Sequence, residues 1–126
     1  MEICNNIGTQ EVQLTRGQKR SLKDIMNHAS VSEKSIEAYL SRRVREAGGL
    51  CLKFASSTQA GYPDRVVMLP HGLQAWVELK SRGRKPTRLQ LLRHDELRAV
   101  GQPVYVVDSR EGVDSMISEL TRPAEP

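Results

Sequence analysis

Two apolar runs flank the tripeptide Pro70-His71-Gly72 and constrain the fold more than any other feature of this 126-residue chain. Residues 64–69 and 73–80 are rich in valine and leucine, and the proline and glycine between them are typical of a tight turn. The pattern predicts an antiparallel β-hairpin. Because positions equidistant from a turn face each other across a hairpin, a turn centred on the histidine places Asp64 opposite Glu78.

Helical and strand patterns alternate around this hairpin. Ser32 is a good capping residue for a helix over 33–47, in which apolar residues recur at helical spacing. The remaining patterns predict strands over 50–55 and 103–108 and helices over 87–100 and 111–120. The order αβββαβα predicts an α/β fold with a mixed central sheet flanked by helices. In the second helix, the apolar residues expected to face the core are Leu89, Leu92, Leu97 and Val100.

The length of the chain predicts a single domain, since about 150 residues per domain is usual. Residues 1–32 are polar and rich in Asn and Gln, and they form an N-terminal extension for which no reliable structure is predicted. Residues 33–120 form the predicted domain, and residues 121–126, which include two prolines, form a tail. The chemistry is therefore expected within residues 33–120.

The sequence carries no signal for a membrane or for export. No apolar run approaches the roughly 20 residues that span a bilayer, and residues 1–6 lack the basic and apolar regions of a signal peptide. We therefore expect a cytoplasmic protein with no membrane partner. The three histidines, His28, His71 and His94, have no zinc-ligand spacing, and each is expected at the surface or in a turn.

Positive charge is concentrated just after the hairpin. The whole chain carries 19 basic and 15 acidic residues, whereas residues 80–98 hold seven basic residues against two acidic ones. Arg82, Arg84 and Lys85 lie close together at the start of this segment. A solvated helix face can carry such a run, but its density is more typical of a loop that contacts phosphate groups. These three residues are the candidates for nucleic-acid binding.

The predicted register brings two acidic side chains together. Carboxylates directly opposite each other on a sheet lie roughly 5 Å apart at Cβ and repel each other. A cation between them would relieve the repulsion, and Mg²⁺ or Mn²⁺ prefers oxygen ligands. The alternative is that Asp64 merely begins a strand and that Glu78 and Lys80 are solvated charges at a strand end. The combination of the two acids with the basic segment favours the metal site.

These residues resemble a known nuclease signature. Gly61-Tyr62-Pro63-Asp64, followed by Glu78-Leu79-Lys80, resembles that of the PD-(D/E)XK nucleases. A longer series of motifs, spread over about residues 33–120, is similar to the VRR-NUC domain (virus-type replication-repair nuclease). These motifs are Glu33-Lys34-Ser35-Ile36-Glu37, Gly48-Gly49, Gly61-Tyr62-Pro63-Asp64-Arg65, Val77-Glu78-Leu79-Lys80, Gln90 and Gly101-Gln102-Pro103-Val104. The resemblance implies a restriction-endonuclease-like core.

The resemblance also implies a role for each motif residue. Asp64 and Glu78 would be metal ligands, with the backbone carbonyl of Leu79 as a third. Lys80 would orient the attacking water and stabilise charge on the phosphate. A divalent ion such as Mg²⁺ or Mn²⁺ polarises phosphoryl oxygens and lowers the pKa of water, so no covalent nucleophile is required.

Two further positions have alternative interpretations. Glu33 and Glu37 are four residues apart and project to the same side of their helix. Glu37 has the spacing that better fits the resolvase-like pattern, as an accessory ligand acting through water; the alternative is an exposed helix acid. Gln90 lies where the family carries a glutamine near the metal site, but Thr87 and Gln90 also form a capping box, which would account for both residues.

The function implied by the resemblance is metal-dependent endonuclease activity on DNA, with Holliday junctions or other branched DNA as substrates in replication, recombination or repair. Stand-alone members of the family are small phage or bacterial proteins that act as homodimers. The alternative is a DNA-binding module without catalytic activity that has kept the nuclease fold. The presence of Asp64, Glu78 and Lys80 favours the enzyme.

Overall fold

The computed structural model describes residues 32–123. All of the predicted extension 1–32 except its last residue lies outside the described residues, as does the end of the predicted tail 121–126. The described elements are α1 (Glu33–Glu46), β1 (Leu50–Lys53), β2 (Arg65–Leu69), β3 (Leu73–Leu79), α2 (Arg88–Ala99), β4 (Val104–Val107) and α3 (Arg110–Leu120). Their order confirms the predicted αβββαβα fold.

The strands form a mixed sheet in the order β1-β2-β3-β4. The first two pairings are antiparallel, whereas β4 runs parallel to β3 and α2 lies in the connection between them. Pairing of β2 with β3 runs from Arg65 opposite Val77 to Leu69 opposite Leu73, which confirms the register predicted from the turn. The turn itself is a short 3₁₀ segment in which His71 adopts a left-handed φ of 70°.

The hydrophobic core lies between the sheet and the helices α1 and α3. Its members are Ile36, Leu40, Val44, Val67, Leu69, Val77, Leu79, Val107, Val113, Met116 and Ile117. The members of this core in β2 and β3 are all odd-numbered, and side chains alternate between the faces of a strand. The even-numbered Glu78 therefore points to the opposite face, on the side of α2.

The expectation for the inward face of α2 was wrong. Leu89, Leu92 and Val100 are 42%, 53% and 73% exposed, whereas His94, expected at the surface, is fully buried. The inward face carries Gln90, His94 and the half-buried Leu97, which follow helical spacing. The reason is that α2 packs over the buried carboxylate of Glu78, so polar side chains are needed where an apolar stripe was expected.

None of the helices within residues 32–123 has the length and apolar character that crossing a membrane requires.

Candidate active site

Asp64 and Glu78 meet at the end of the sheet where the two inner strands lie, with β2 beginning and β3 ending there. The backbone carbonyl of Asp64 accepts a hydrogen bond from the N–H of Phe54 (2.9 Å), which continues the pairing of β1 with β2. The Asp64 carboxylate reaches across the hairpin, because its Oδ1 accepts a hydrogen bond from the N–H of Leu79 (3.2 Å). The structure therefore brings this carboxylate to the end of β3, beside Glu78.

Glu78 is a buried carboxylate, with 3% of its surface exposed. The side-chain amide of Gln90 donates to Oε2 (3.2 Å), and Nε2 of His94 lies 3.1 Å from Oε1. The pKa of Glu78 is raised to about 7, chiefly by burial and then by the negative charge of Asp64. A proton or a cation is therefore needed to neutralise this pair near pH 7.

Lys80 completes the cluster one residue beyond β3. Its backbone N–H donates to the carbonyl of Val107 (3.0 Å), which keeps the end of β3 joined to β4. Its positive charge acts to lower the pKa of Glu78, so the ammonium group lies within electrostatic range of the carboxylate. The motif residues Asp64, Glu78 and Lys80 thus lie at one place on the sheet.

The two acids of α1 have different surroundings. Glu37 forms an ion pair with Arg65, the first residue of β2. Glu33, at the start of the helix, is near enough to Glu78 for its charge to raise the pKa of that group. The electrostatic influence of α1 on the site therefore comes from Glu33, while the carboxylate of Glu37 is held by an arginine.

Gln90 forms the predicted capping box and also contacts Glu78. Its Oε1 accepts a hydrogen bond from the backbone N–H of Thr87 (2.8 Å), and its own backbone N–H donates to the Thr87 hydroxyl (3.2 Å), so the predicted capping box is present. The amide nitrogen remains free for Glu78. The capping box therefore fixes the side chain of Gln90, and the amide nitrogen of this side chain contacts the buried carboxylate of Glu78.

His94 is the residue at this site that sequence reasoning missed. Its ring is buried against Glu78, and its Nδ1 has no hydrogen-bond partner among the described residues. The pKa of His94 is lowered, chiefly by burial and then by the positive charge of Arg98. The sequence did hold a signal: His94 follows Gln90 by four residues, and such positions share a helix face.

The loop that leads to Asp64 is attached to α2. Arg93 donates to the carbonyl of Ala60 (2.8 Å), and the Tyr62 hydroxyl donates to Glu96 (2.9 Å). Gly61 has a φ of +95°, and a Cβ at this position would lie 2.7 Å from a side-chain carbon of Leu89. Gly61 therefore packs closely against α2, where a side chain would not fit. The loop and α2 together hold Asp64 near Glu78.

The three basic loop residues, Arg82, Arg84 and Lys85, are all exposed. The loop is shaped by the N–H of Gly83, which donates to the carboxylate of Asp108 at the end of β4 (3.2 Å). Because Lys80 lies only two residues before Arg82, the loop begins beside the acidic pair. The structure therefore places an exposed cationic segment next to the cluster.

The carboxylate oxygens of Asp64 and Glu78 suit one class of metal ion. Among residues 32–123, no group of three or more His, Cys, Asp or Glu side chains is arranged to hold a metal ion. Mg²⁺ requires only one or two carboxylate ligands from the protein, because water and substrate phosphates supply the other oxygen ligands. Asp64 and the buried Glu78 fit such a partly open site, because a cation would relieve their repulsion.

Comparisons with known proteins agree with this geometry. No family model matches the chain. It is 46% identical over 81 residues to "Putative nuclease p44" of Acyrthosiphon pisum secondary endosymbiont phage 1, a match that covers 64% of this chain and 87% of the relative. A solved structure described as "VRR_NUC domain" matches with a TM-score of 0.65 and 36% identity, over 68% of this chain and 94% of that one. The chain therefore belongs to the VRR-NUC nuclease family.

Proposed function

We propose that this protein is a divalent-metal-dependent endonuclease that hydrolyses phosphodiester bonds in branched DNA. The observation that carries the proposal is the buried Glu78 carboxylate beside Asp64, with Lys80 at the end of the same strand. Two carboxylates held together in this way destabilise the protein unless a proton or a cation reduces their repulsion. The membership of the chain in a nuclease family supports phosphate esters as the substrate class.

The metal ligands that we propose are Asp64, Glu78 and the backbone carbonyl of Leu79, and the proposed ion is Mg²⁺ or Mn²⁺. The N–H of Leu79 points to Asp64, and the N–H and C=O of an extended residue face the same side of the strand. The Leu79 carbonyl is therefore expected to face Asp64 as well. A divalent ion at these oxygens supplies the charge that polarises a phosphoryl group and acidifies water.

The remaining chemistry falls to the protein's own side chains. We propose that the Lys80 ammonium orients the attacking water and stabilises the charge that develops on the phosphate. Gln90 fixes the plane of Glu78 through its amide, and the capping box fixes Gln90 in turn. For the first-helix acid, the ion pair of Glu37 with Arg65 and the charge effect of Glu33 on Glu78 support Glu33 as the residue that acts through water.

We propose that Arg82, Arg84 and Lys85 contact the phosphates that flank the scissile bond. The support is their exposure and the position of the loop directly after Lys80. Exposed lysine and arginine side chains that contact phosphates provide much of the affinity of DNA-binding proteins. Because DNA is the proposed substrate and the relative is a phage protein, we place the activity in the bacterial cytoplasm or in a phage-infected cell.

We further propose a homodimer, because a symmetric junction requires two coordinated cuts and one such site cuts one strand. Large apolar side chains exposed on the described domain could be covered by a second copy; they are Leu50, Leu52, Met68, Leu89, Leu91, Leu92, Val100 and Val106. Light scattering should give twice the chain mass of 14.1 kDa. A mass near that of one chain, both free and DNA-bound, would argue for independent monomers.

A cleavage assay tests the proposed function. Purified protein is incubated with labelled four-way, flapped and linear DNAs in the presence of Mg²⁺, Mn²⁺ or EDTA. We expect cutting of branched DNA with either ion and none in EDTA or by the Asp64→Asn and Glu78→Gln variants. DNA binding without cutting under every condition would instead support a non-catalytic DNA-binding module.

A further inference from the structure

We propose that His94 is a positioning residue that holds the carboxylate of Glu78 in the orientation in which it binds a divalent cation. The inference rests on the proposed function, because it gives one of the proposed metal ligands a partner. The His94 ring is fully buried, and its Nε2 lies 3.1 Å from Oε1 of Glu78. Sequence motifs of the chain gave no role to this histidine.

The two oxygens of Glu78 are held by one helix. His94 contacts Oε1 and Gln90 contacts Oε2, and the two residues lie four positions apart on the same face of α2. Rotation of the carboxylate about its terminal bond would break both contacts, so its plane is fixed. Each carboxylate oxygen has a second lone-pair direction, which leaves both oxygens able to bind a cation.

The surroundings of His94 indicate that the contact with Glu78 is the reason for a polar side chain at this buried position. Nδ1 of the ring has no hydrogen-bond partner among the described residues, although it is buried. A buried nitrogen without a partner costs stability. A leucine at this position would fill the space without that cost. The property that histidine provides here and leucine does not is the contact with the carboxylate.

Removal of this contact should weaken metal binding more than it weakens folding. Partners that orient a metal ligand are typically worth about 10–100-fold in metal affinity or activity. We therefore expect His94→Leu to raise the Mn²⁺ dissociation constant at least about tenfold. Because the His94 ring is fully buried, it cannot contact DNA, and kcat should fall while the KM for DNA stays unchanged.

The test is calorimetric titration of Mn²⁺ into the DNA-free full chain. Three variants are compared with the wild type: His94→Leu, His94→Gln and His94→Asn. The amide of glutamine reaches about as far as Nε2 of histidine, so His94→Gln should keep most of the affinity. The shorter asparagine cannot reach Glu78 and should lose affinity like leucine. Leu97→Ala is the control, since it lies half-buried on the same helix face and should lower the melting temperature without changing Mn²⁺ affinity.

The outcomes separate this inference from the proposed function. A wild type that neither binds Mn²⁺ nor cleaves DNA would overturn both. A wild type that does both, with His94→Leu equal to it in Mn²⁺ affinity, would overturn only the role of His94. If His94→Leu does not fold, the comparison of His94→Gln with His94→Asn decides. Equal Mn²⁺ affinities of these two variants would overturn the inference. Tighter Mn²⁺ binding by His94→Gln than by His94→Asn would support it.

Discussion

The backbone N–H of Leu79 donates to Oδ1 of Asp64 over 3.2 Å, and this contact joins the first acid of the site to the strand that carries the second. Glu78 precedes Leu79, and its side chain points to the opposite face of the strand. The hydrogen bond holds Asp64 beside Glu78 although the two charges repel each other, as the raised pKa of Glu78 reflects. The charge arrangement is thus a consequence of the hairpin register, because a shift by one residue would turn Glu78 into the core.

Replacement of Lys80 should separate binding from catalysis. We expect Lys80→Ala to lower kcat by about 10²–10³-fold, the usual loss when one group that stabilises the transition-state charge is removed. DNA affinity should change little, because the neighbouring basic residues remain. Single-turnover cleavage and DNA binding in EDTA measure the two effects. The matched control is Arg122→Ala, whose charge lies just beyond the far end of α3, and it should leave both quantities unchanged.

Neutralising the basic loop should have the opposite effect. The double variant Arg82→Ala/Arg84→Ala is expected to raise the KM for DNA with little change in kcat, since these exposed side chains are proposed to contact flanking phosphates. Each lost phosphate contact should also reduce the slope of log affinity against log salt concentration by about 0.9. Binding measured between 50 and 200 mM salt, roughly the range over which such slopes are determined, gives this slope. An unchanged slope would mean that the loop does not contact DNA.

Much of the framework could be predicted because it depends on local chemistry. The turn residues around His71 fixed the hairpin register, and the register alone predicted that Asp64 and Glu78 would meet. Ser32 and Thr87 are helix caps in the structure, as their sequence contexts indicated. In each case, a few neighbouring residues determine the outcome, so a sequence pattern is enough.

The inward face of α2 could not be predicted in the same way. Hydrophobic periodicity assumes that a helix packs against an apolar surface, which would have buried Leu89 and Leu92. The surface beneath α2 instead contains the carboxylate of Glu78, so Gln90 and His94 point inward. Likewise, the pairing of Glu37 with Arg65 joins residues 28 positions apart. Such contacts depend on how elements pack, and a local pattern does not contain that information.

The raised pKa of Glu78 predicts how the stability of the metal-free protein depends on pH. The pKa is about 7 in the folded state against an ordinary value of 4.5, so the folded protein binds this proton more tightly than the unfolded chain. The resulting stabilisation is complete below the unfolded-state pKa and is lost as pH rises through the folded-state value. It amounts to about 3 kcal/mol.

Melting curves in EDTA at several pH values between about 5 and 8 test this prediction, with Glu78→Gln as the reference because glutamine does not titrate. Acids that do not interact with Glu78 behave alike in both proteins, so their effects cancel in the difference, which reports Glu78 together with the neighbours whose titration it influences. The melting temperature of the wild type should fall relative to that of the variant as pH rises. A difference that is constant over this range would show that Glu78 titrates normally.

Replacement of Asp64 by asparagine should stabilise the metal-free protein and strongly reduce its stabilisation by metal. The asparagine side chain would retain an oxygen that accepts the Leu79 N–H, while the repulsion with Glu78 would disappear. In EDTA at about pH 8, roughly one unit above the pKa of Glu78, the variant should therefore melt at a higher temperature than the wild type. Mn²⁺ at 100 times its dissociation constant should stabilise the wild type by about 2.7 kcal/mol and the variant by much less.

The measurement is a pair of melting curves for each protein, one in EDTA and one in Mn²⁺. For a domain of this size, a stabilisation of 1 kcal/mol corresponds to a shift of about 4–8 °C, so the expected metal effect on the wild type is well above experimental error. Glu119→Gln, which makes the same change of charge at an exposed position near the far end of α3, should keep the full Mn²⁺ shift. If Asp64→Asn also keeps the full Mn²⁺-dependent shift in melting temperature, or if the wild type shows no such shift, Asp64 and Glu78 do not share a metal ion.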